Sequence, residues 1–181
     1  DMLIAIVDDD TEVATALSEM LELEGFTVAV FHSGQEVLRA VHKDSSTVIL
    51  SDLRMPAMDG IALLGAVQEI DTAIPVVLMS GHGDIPMAIQ AVKLGAQDFL
   101  EKPLEPEKLI SLLTRIVEQR RLVLQSRIAE QSLNQLRGIE KFIIGNSSAI
   151  DNLRKSVLAL SAANVDTIIY GNTGTGKDVV A

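Results

Sequence analysis

LIAIVDDD, residues 3–10, is five apolar residues running straight into three carboxylates. The apolar part has the length and β-branching of a strand. The pattern recurs as TVAVF (27–31), TVILS (47–51), IPVVLM (74–79) and AQDFL (96–100), each followed by a stretch with apolar residues three and four apart. Strand-length runs alternating with helical periodicity predict parallel strands joined by crossover helices. Start and stop signals agree. Asp10 reads as the N-cap of a first helix that puts Val13, Leu17, Met20 and Leu21 on one face and stops at Gly25. Ser33, Gly34, Gln35 and Glu36 form a capping-box pattern ahead of Val37, Leu38 and Val41. Gly60 precedes IALLGAVQEI, Pro86 stands near the start of PMAIQAVKLG, and Pro106 opens a fifth helix. Five strand–helix units within residues 1–120 predict an α/β, flavodoxin-like, doubly wound five-stranded parallel sheet.

From Leu109 to Leu136 the helical signal continues without Gly or Pro, longer than one closing helix requires. Residues 105–138 therefore read as a linker helix. Leu109, Leu112, Ile116, Val123 and Leu133 fit an a/d register interrupted by Gln119, Ser126 and Glu130, an imperfect coiled coil that Gly138 should end. Residues 139–181 then read as loop, helix, strand (VDTIIY, 165–170) and glycine-rich loop, the start of a second α/β domain.

Composition narrows the function classes. With 48% hydrophobic residues in 181, the chain can bury a core. No run approaches the ~18 apolar residues of a membrane span, and DMLIAIVDDD has neither a basic start nor a small-residue cleavage site, so a cytoplasmic protein with no membrane partner is expected. The absence of cysteine excludes disulfides and thiol catalysis. Charge is uneven: residues 1–104 hold 17 acidic against 5 basic side chains, residues 105–181 hold 8 against 10. Neither half has a dense basic patch with interleaved aromatics, which argues against direct nucleic-acid binding by these residues.

In a doubly wound sheet, ligands bind beyond the carboxyl ends of the strands, where the first and third lie side by side. Asp8 and Asp9 end the first run, Asp52 the third, Ser80 follows the fourth and Lys102 the fifth. Singly, the aspartates could be caps, Ser80 a turn residue and Lys102 a solvated charge. Together they place like charges in one crevice, where a pair about 4 Å apart costs roughly 4 kcal/mol in a partly buried setting. A Mg²⁺ ion would offset that, since it binds few carboxylates, keeps waters and accepts phosphate oxygens. Phosphoryl transfer follows, with Asp52 as nucleophile and Lys102 and Ser80 on the phosphoryl oxygens. Near the other end, Gly171, Asn172, Thr173, Gly174, Thr175, Gly176, Lys177 and Asp178 have the P-loop spacing, with Asp178 where a metal-binding Ser or Thr is usual.

The stretches IVDDD, SDLRMPAMDG, LMSGHGD and FLEKP resemble the receiver domain of two-component response regulators over residues 1–120. The resemblance implies that Asp9 ligates Mg²⁺ directly, Asp8 largely through water, and the Arg54 backbone carbonyl completes the protein's share. It implies that Asp52 accepts a phosphoryl group from a sensor histidine kinase and loses it slowly, that Ser80 and Phe99 are the switch residues, and that the bond before Pro103 is cis. FIIGNSSAI with VDTIIYGNTGTGKDVVA is similar to the start of the AAA+ ATPase domain of sigma-54-dependent activators of the nitrogen-regulatory-protein-C class, which carry an acid at the position of Asp178. SGHGDIPMAIQAVKLGAQDFLEKP is most like the dicarboxylate-transport regulator branch. A homodimer is expected. So are ATP binding by a full-length AAA+ domain, and contacts with sigma-54 RNA polymerase and promoter DNA through parts C-terminal to this sequence, which would make it a fragment of a longer regulator without ATPase activity of its own.

Two other readings stay open. An autonomous P-loop ATPase or kinase would need a second acid on a following strand. An aspartate-based phosphatase would use IAIVDDD as a D-x-D motif, but would want Thr or Val where Glu12 stands and would leave Asp52 and Lys102 without a role.

Overall fold

The computed structural model describes residues 2–81, 84–140, 143–145, 147–163 and 168–170. The chain divides into two units, Asp1–Leu124 and Gln125–Ala181. In the first, β1 (Leu3–Val7), α1 (Thr11–Leu23), β2 (Thr27–Phe31), α2 (Gly34–Ala40), β3 (Thr47–Asp52), α3 (Gly60–Ile70), β4 (Val76–Ser80), α4 (Ile85–Lys93) and β5 (Asp98–Glu101) alternate up to α5 (Pro106–Glu140). The five strands form one parallel sheet in the order β2-β1-β3-β4-β5. Strand order reverses around β1, which opens a crevice at the carboxyl ends of β1 and β3.

The central strands are apolar on both faces because helices cover both. Ile4, Ile6, Val48, Leu50, Val77 and Met79 pack with Leu17 and Leu21 of α1 and Leu109, Leu113 and Ile116 of α5. Ala5, Ile49, Val76 and Leu78 face Val37 of α2 and Leu63, Leu64 and Val67 of α3. Asp10 caps α1, accepting from the Glu12 and Val13 amides, and α1 gives way to Gly25 at φ 86°. Ser33 accepts from the Glu36 amide as expected, but Glu36 reaches back to the His32 amide at 3.0 Å, one residue earlier than a simple capping box.

Gly60 shows how closely α3 approaches the site. A Cβ there would lie 2.8 Å from the Asp52 carbonyl oxygen, 2.9 Å from Leu78 Cδ2 and 3.0 Å from Leu53 Cα. Two of these neighbours are backbone, so Gly60→Ala must push α3 off the end of β3. Overpacking of this kind costs typically 1–3 kcal/mol, against at most about 1 kcal/mol gained from helix propensity. The expected result is a lower urea midpoint; an unchanged one would show the contact to be soft.

Two details of the linker reading are corrected. Leu109, Leu112 and Ile116 are buried in the sheet's core, so these heptad positions are spent on the first unit. Only Val123 and Leu133 of the expected set are exposed, with Leu122 and Ile128 beside them. The helix also runs through Gly138 to Glu140, because one interior glycine costs only about 1 kcal/mol among good helix formers.

In the second unit, α6 (Ser148–Ala163) is the expected helix. Its buried Arg154 donates to the Ile143 carbonyl at 2.7 and 3.1 Å, to the Gly145 carbonyl at 2.9 Å and to Asp151 Oδ1 at 2.9 Å. Residues 168–170, expected in a strand, carry no regular structure. A strand needs a partner, and no other strand of this unit lies among the described residues. The glycine-rich loop, Gly171 to Asp178, lies outside the described residues.

Candidate functional site

Asp8 leaves β1 directly into the turn that Asp10 caps, and its Oδ1 accepts the Asp10 amide at 3.0 Å, turning the carboxylate inward to 2% exposure. Asp52 is the last residue of β3 and 8% exposed. Lys102 follows β5, its amide extending the ladder to the Ser80 carbonyl at 2.7 Å, and the next peptide bond, to Pro103, is cis. The Lys102 ammonium then lies between the two carboxylates, 3.1 Å from Asp8 Oδ2 and 2.5 Å from Asp52 Oδ1. Asp52 Oδ2 accepts the Arg54 amide at 2.8 Å. Ser80 is buried at the end of β4, its hydroxyl donating to the Gly81 carbonyl at 3.0 Å. Three strand ends thus deliver one nucleophile candidate, one cation and one hydroxyl to the same crevice.

The electrostatics differ from the sequence reading in one respect. Repulsion between Asp8 and Asp52 is offset by an ammonium. Burial works against the Lys102 charge, but hydrogen bonds and attraction from Asp52, then Asp8, outweigh it and raise its pKa. Asp9 is exposed, next along the chain. Among the described residues no three or more His, Cys, Asp or Glu side chains are gathered into a metal cage. The donor set nevertheless fits Mg²⁺, which takes one or two carboxylates and fills its octahedron with water. Asp8 and Asp52 present two buried carboxylates of the kind such an ion takes, and the Arg54 carbonyl and Asp9 are the expected others.

The Arg54 side chain was not singled out by sequence, and neither was Asp84. Its guanidinium, 72% exposed, grips the buried carboxylate of Asp84 just ahead of α4. Arg54 and its charge hold Asp84 below the usual carboxylate range, and Asp84 raises Arg54 in turn. The sequence signal for Asp84 pointed elsewhere, since an aspartate before a helix reads as its cap. Phe99, on β5, is half-buried against the core and is one wall of a cavity of about 430 Å³ bounded also by Lys102, Leu104 and Leu109.

Comparison with known proteins agrees with this arrangement. The response regulator receiver domain family matches residues 4–114. The chain belongs to the response regulator receiver family. The receiver match sits within a longer similarity to transcription regulators. The chain is 40% identical over 178 residues to the C4-dicarboxylate transport transcriptional regulatory protein DctD of Pseudomonas aeruginosa and 35% identical over 176 residues to the DNA-binding transcriptional regulator NtrC of Escherichia coli. These alignments cover 98% and 97% of this chain but only 38% and 36% of the relatives, so the chain spans little more than a third of their length. Among solved structures it is similar to FixJ-N, at 40% identity and TM-score 0.61 over 65% of this chain and 94% of that one. It is also similar to NtrX from Brucella abortus in complex with ADP, at 29% identity and TM-score 0.61 over 98% of this chain and 38% of that one. The receiver is thus of the two-component, NtrC/DctD type, and no described helix is long and apolar enough to cross a membrane.

Proposed function

We propose that the receiver accepts a phosphoryl group on Asp52 from a sensor histidine kinase and uses it to rearrange a homodimer, thereby controlling the ATPase and sigma-54-dependent transcription activation of a longer regulator. The observation that carries this reading is the Lys102 ammonium held 2.5 Å from Asp52 Oδ1 in the crevice at the carboxyl ends of the strands. The residues divide the work. Asp52 attacks the phosphorus with one carboxylate oxygen, the P–N bond of the donor phosphohistidine breaks, the imidazole leaves with the bonding pair, and an acyl phosphate remains. Lys102, released from that oxygen, stays beside the transferred group and balances its charge. The Arg54 amide keeps the other oxygen oriented. Mg²⁺, held by Asp8, Asp9, Asp52 and the Arg54 carbonyl, would supply charge neutralisation for the transferring phosphoryl oxygens.

The output follows from the new charge. An aspartyl phosphate carries about −1.5 to −2 where the carboxylate carried −1, and its new phosphoryl oxygens draw Ser80 inward, while Phe99 borders free volume into which its ring can respond. The exposed Leu122, Val123, Ile128 and Leu133 offer a second copy only a broken seam, weak enough to be rearranged by differential contacts. Nucleotide binding through Gly171 to Asp178, with ATP as ligand in a full-length AAA+ domain, belongs to the same reading, as do contacts with sigma-54 RNA polymerase and promoter DNA elsewhere in a longer protein.

Labelling by acetyl phosphate tests the core of the proposal. It should require Mg²⁺ and fall sharply in Asp9→Ala while Glu22→Ala, which removes an exposed acid of α1, labels like the wild type. Equal labelling of the two variants removes Asp9 from the site; labelling that survives chelation of divalent cations refutes the metal's role.

A further inference from the structure

Asp84 is 5% exposed and immediately precedes α4. An aspartate there ordinarily accepts from the first free amides of its helix. This one caps nothing. Its two oxygens are turned across the crevice mouth to Arg54, whose Nε lies 3.2 and 3.3 Å from them and whose Nη2 closes on Oδ1. The carboxylate is therefore buried, unused by its own helix and spent on a side chain from the β3–α3 loop.

Arg54 and Ser80 flank Asp52. The Arg54 amide already bonds Asp52 Oδ2 at 2.8 Å, so its guanidinium is tethered within a side chain's length of any group built on that carboxylate. A phosphoryl group there presents oxygens that pair with guanidinium in the same forked geometry as a carboxylate does. Asp84 and the phosphoryl group would thus compete for the Arg54 guanidinium.

We propose that Asp84 is a positioning residue: by holding the Arg54 guanidinium it opposes the contacts that a phosphoryl group on Asp52 makes and so sets how tightly that group is held. This rests on the phosphoacceptor reading above. The consequence is an unusual sign. Removing a buried carboxylate's charge should strengthen the phosphorylated state, because Arg54 no longer has to leave a better partner.

The test uses the whole 181-residue chain and beryllofluoride, a phosphoryl mimic, titrated at saturating Mg²⁺ and followed by fluorine NMR. Asp84→Asn should bind it about fivefold more tightly, on the scale of one net hydrogen bond, and the gain should vanish when Arg54→Ala is added. Arg54→Ala alone, at an exposed side chain, should bind about threefold more weakly. A general loosening of the site would weaken binding, so the gain separates the proposed role from a structural one. Unchanged or weaker binding by Asp84→Asn overturns the proposal, as does the same gain with Arg54 absent. Should Asp84→Asn not fold, Asp84→Ser removes the charge while offering α4 a capping hydroxyl, and unchanged binding by it and by Arg54→Ala overturns the proposal equally. A wild type that takes up no beryllofluoride refutes the phosphoacceptor reading itself, which is a different failure from a wild type that binds and variants that do not differ.

Discussion

Asp52→Asn is expected to abolish the base-labile label that acetyl phosphate leaves on the protein, a fall of about a thousandfold or more of the kind seen when a nucleophile is removed. The amide oxygen is a poor nucleophile and carries no charge, yet the side chain is isosteric and its one oxygen can still accept the Arg54 amide, leaving Lys102 paired with Asp8, so the fold should survive. The same substitution separates the competing phosphatase reading, in which Asp8 is the nucleophile and the label should persist. Exposure favours Asp52. Its side chain is 11% exposed against 2% for Asp8, and Asp8 has one oxygen on the Asp10 amide and the other on Lys102. Undiminished labelling of Asp52→Asn, with far-UV circular dichroism unchanged, would move the chemistry to Asp8.

The strands were legible because a strand covered on both faces must be apolar throughout, and TVILS and IPVVLM have no other use for such runs. The site was legible for a related reason: parallel strands put their carboxyl ends on one edge, so a residue's place at the end of a run already tells where it goes. What sequence could not supply was pairing across distance. Lys102 and Asp52 are 50 residues apart, and nothing local says that the ammonium, as well as any metal, balances the acids. Asp84 was hidden by its position, since Asp before a helix has a sufficient local reason to be there. The α5 heptads misled because Leu109, Leu112 and Ile116 satisfy a coiled-coil register and a sheet-packing face equally well over two turns. The tertiary core settled which. One signal was passed over. Arg120 stands four residues after Ile116 and seven after Leu113, on the face those buried side chains define, and a lone arginine on such a face calls for a buried acceptor.

That acceptor makes the second large effect. The Arg120 side chain is 0% exposed, with Nε and Nη2 donating to the Ser45 carbonyl at 3.1 and 2.8 Å and Nη2 to Asp71 Oδ2 at 3.1 Å. Asp71, just after α3, also accepts the Ala73 amide at 3.0 Å. Removing one member leaves the other's charge buried, which costs about 3–5 kcal/mol. Asp71→Ala should therefore lower unfolding free energy by that amount in urea titrations, the largest stability loss expected of any single polar substitution here. Arg120→Met keeps the length and apolar stem and leaves Asp71 its amide donors, so its loss should be smaller, about 1–3 kcal/mol. The double variant should lose less than Asp71→Ala alone, because no charge is then stranded. A loss under about 1 kcal/mol for Asp71→Ala would mean that water reaches the pair. If the cycle behaves as expected, α5 is clamped at Arg120 to the edge of the sheet remote from Asp52. Any rearrangement that a phosphoryl group drives in a dimer seam must then begin beyond that clamp, at Leu122 and Val123 where apolar side chains first become exposed, or act through movement of the whole helix against the sheet. Chemical shifts of the residues around Arg120, compared with and without beryllofluoride, distinguish the two: a clamp that holds keeps them fixed while those beyond it change.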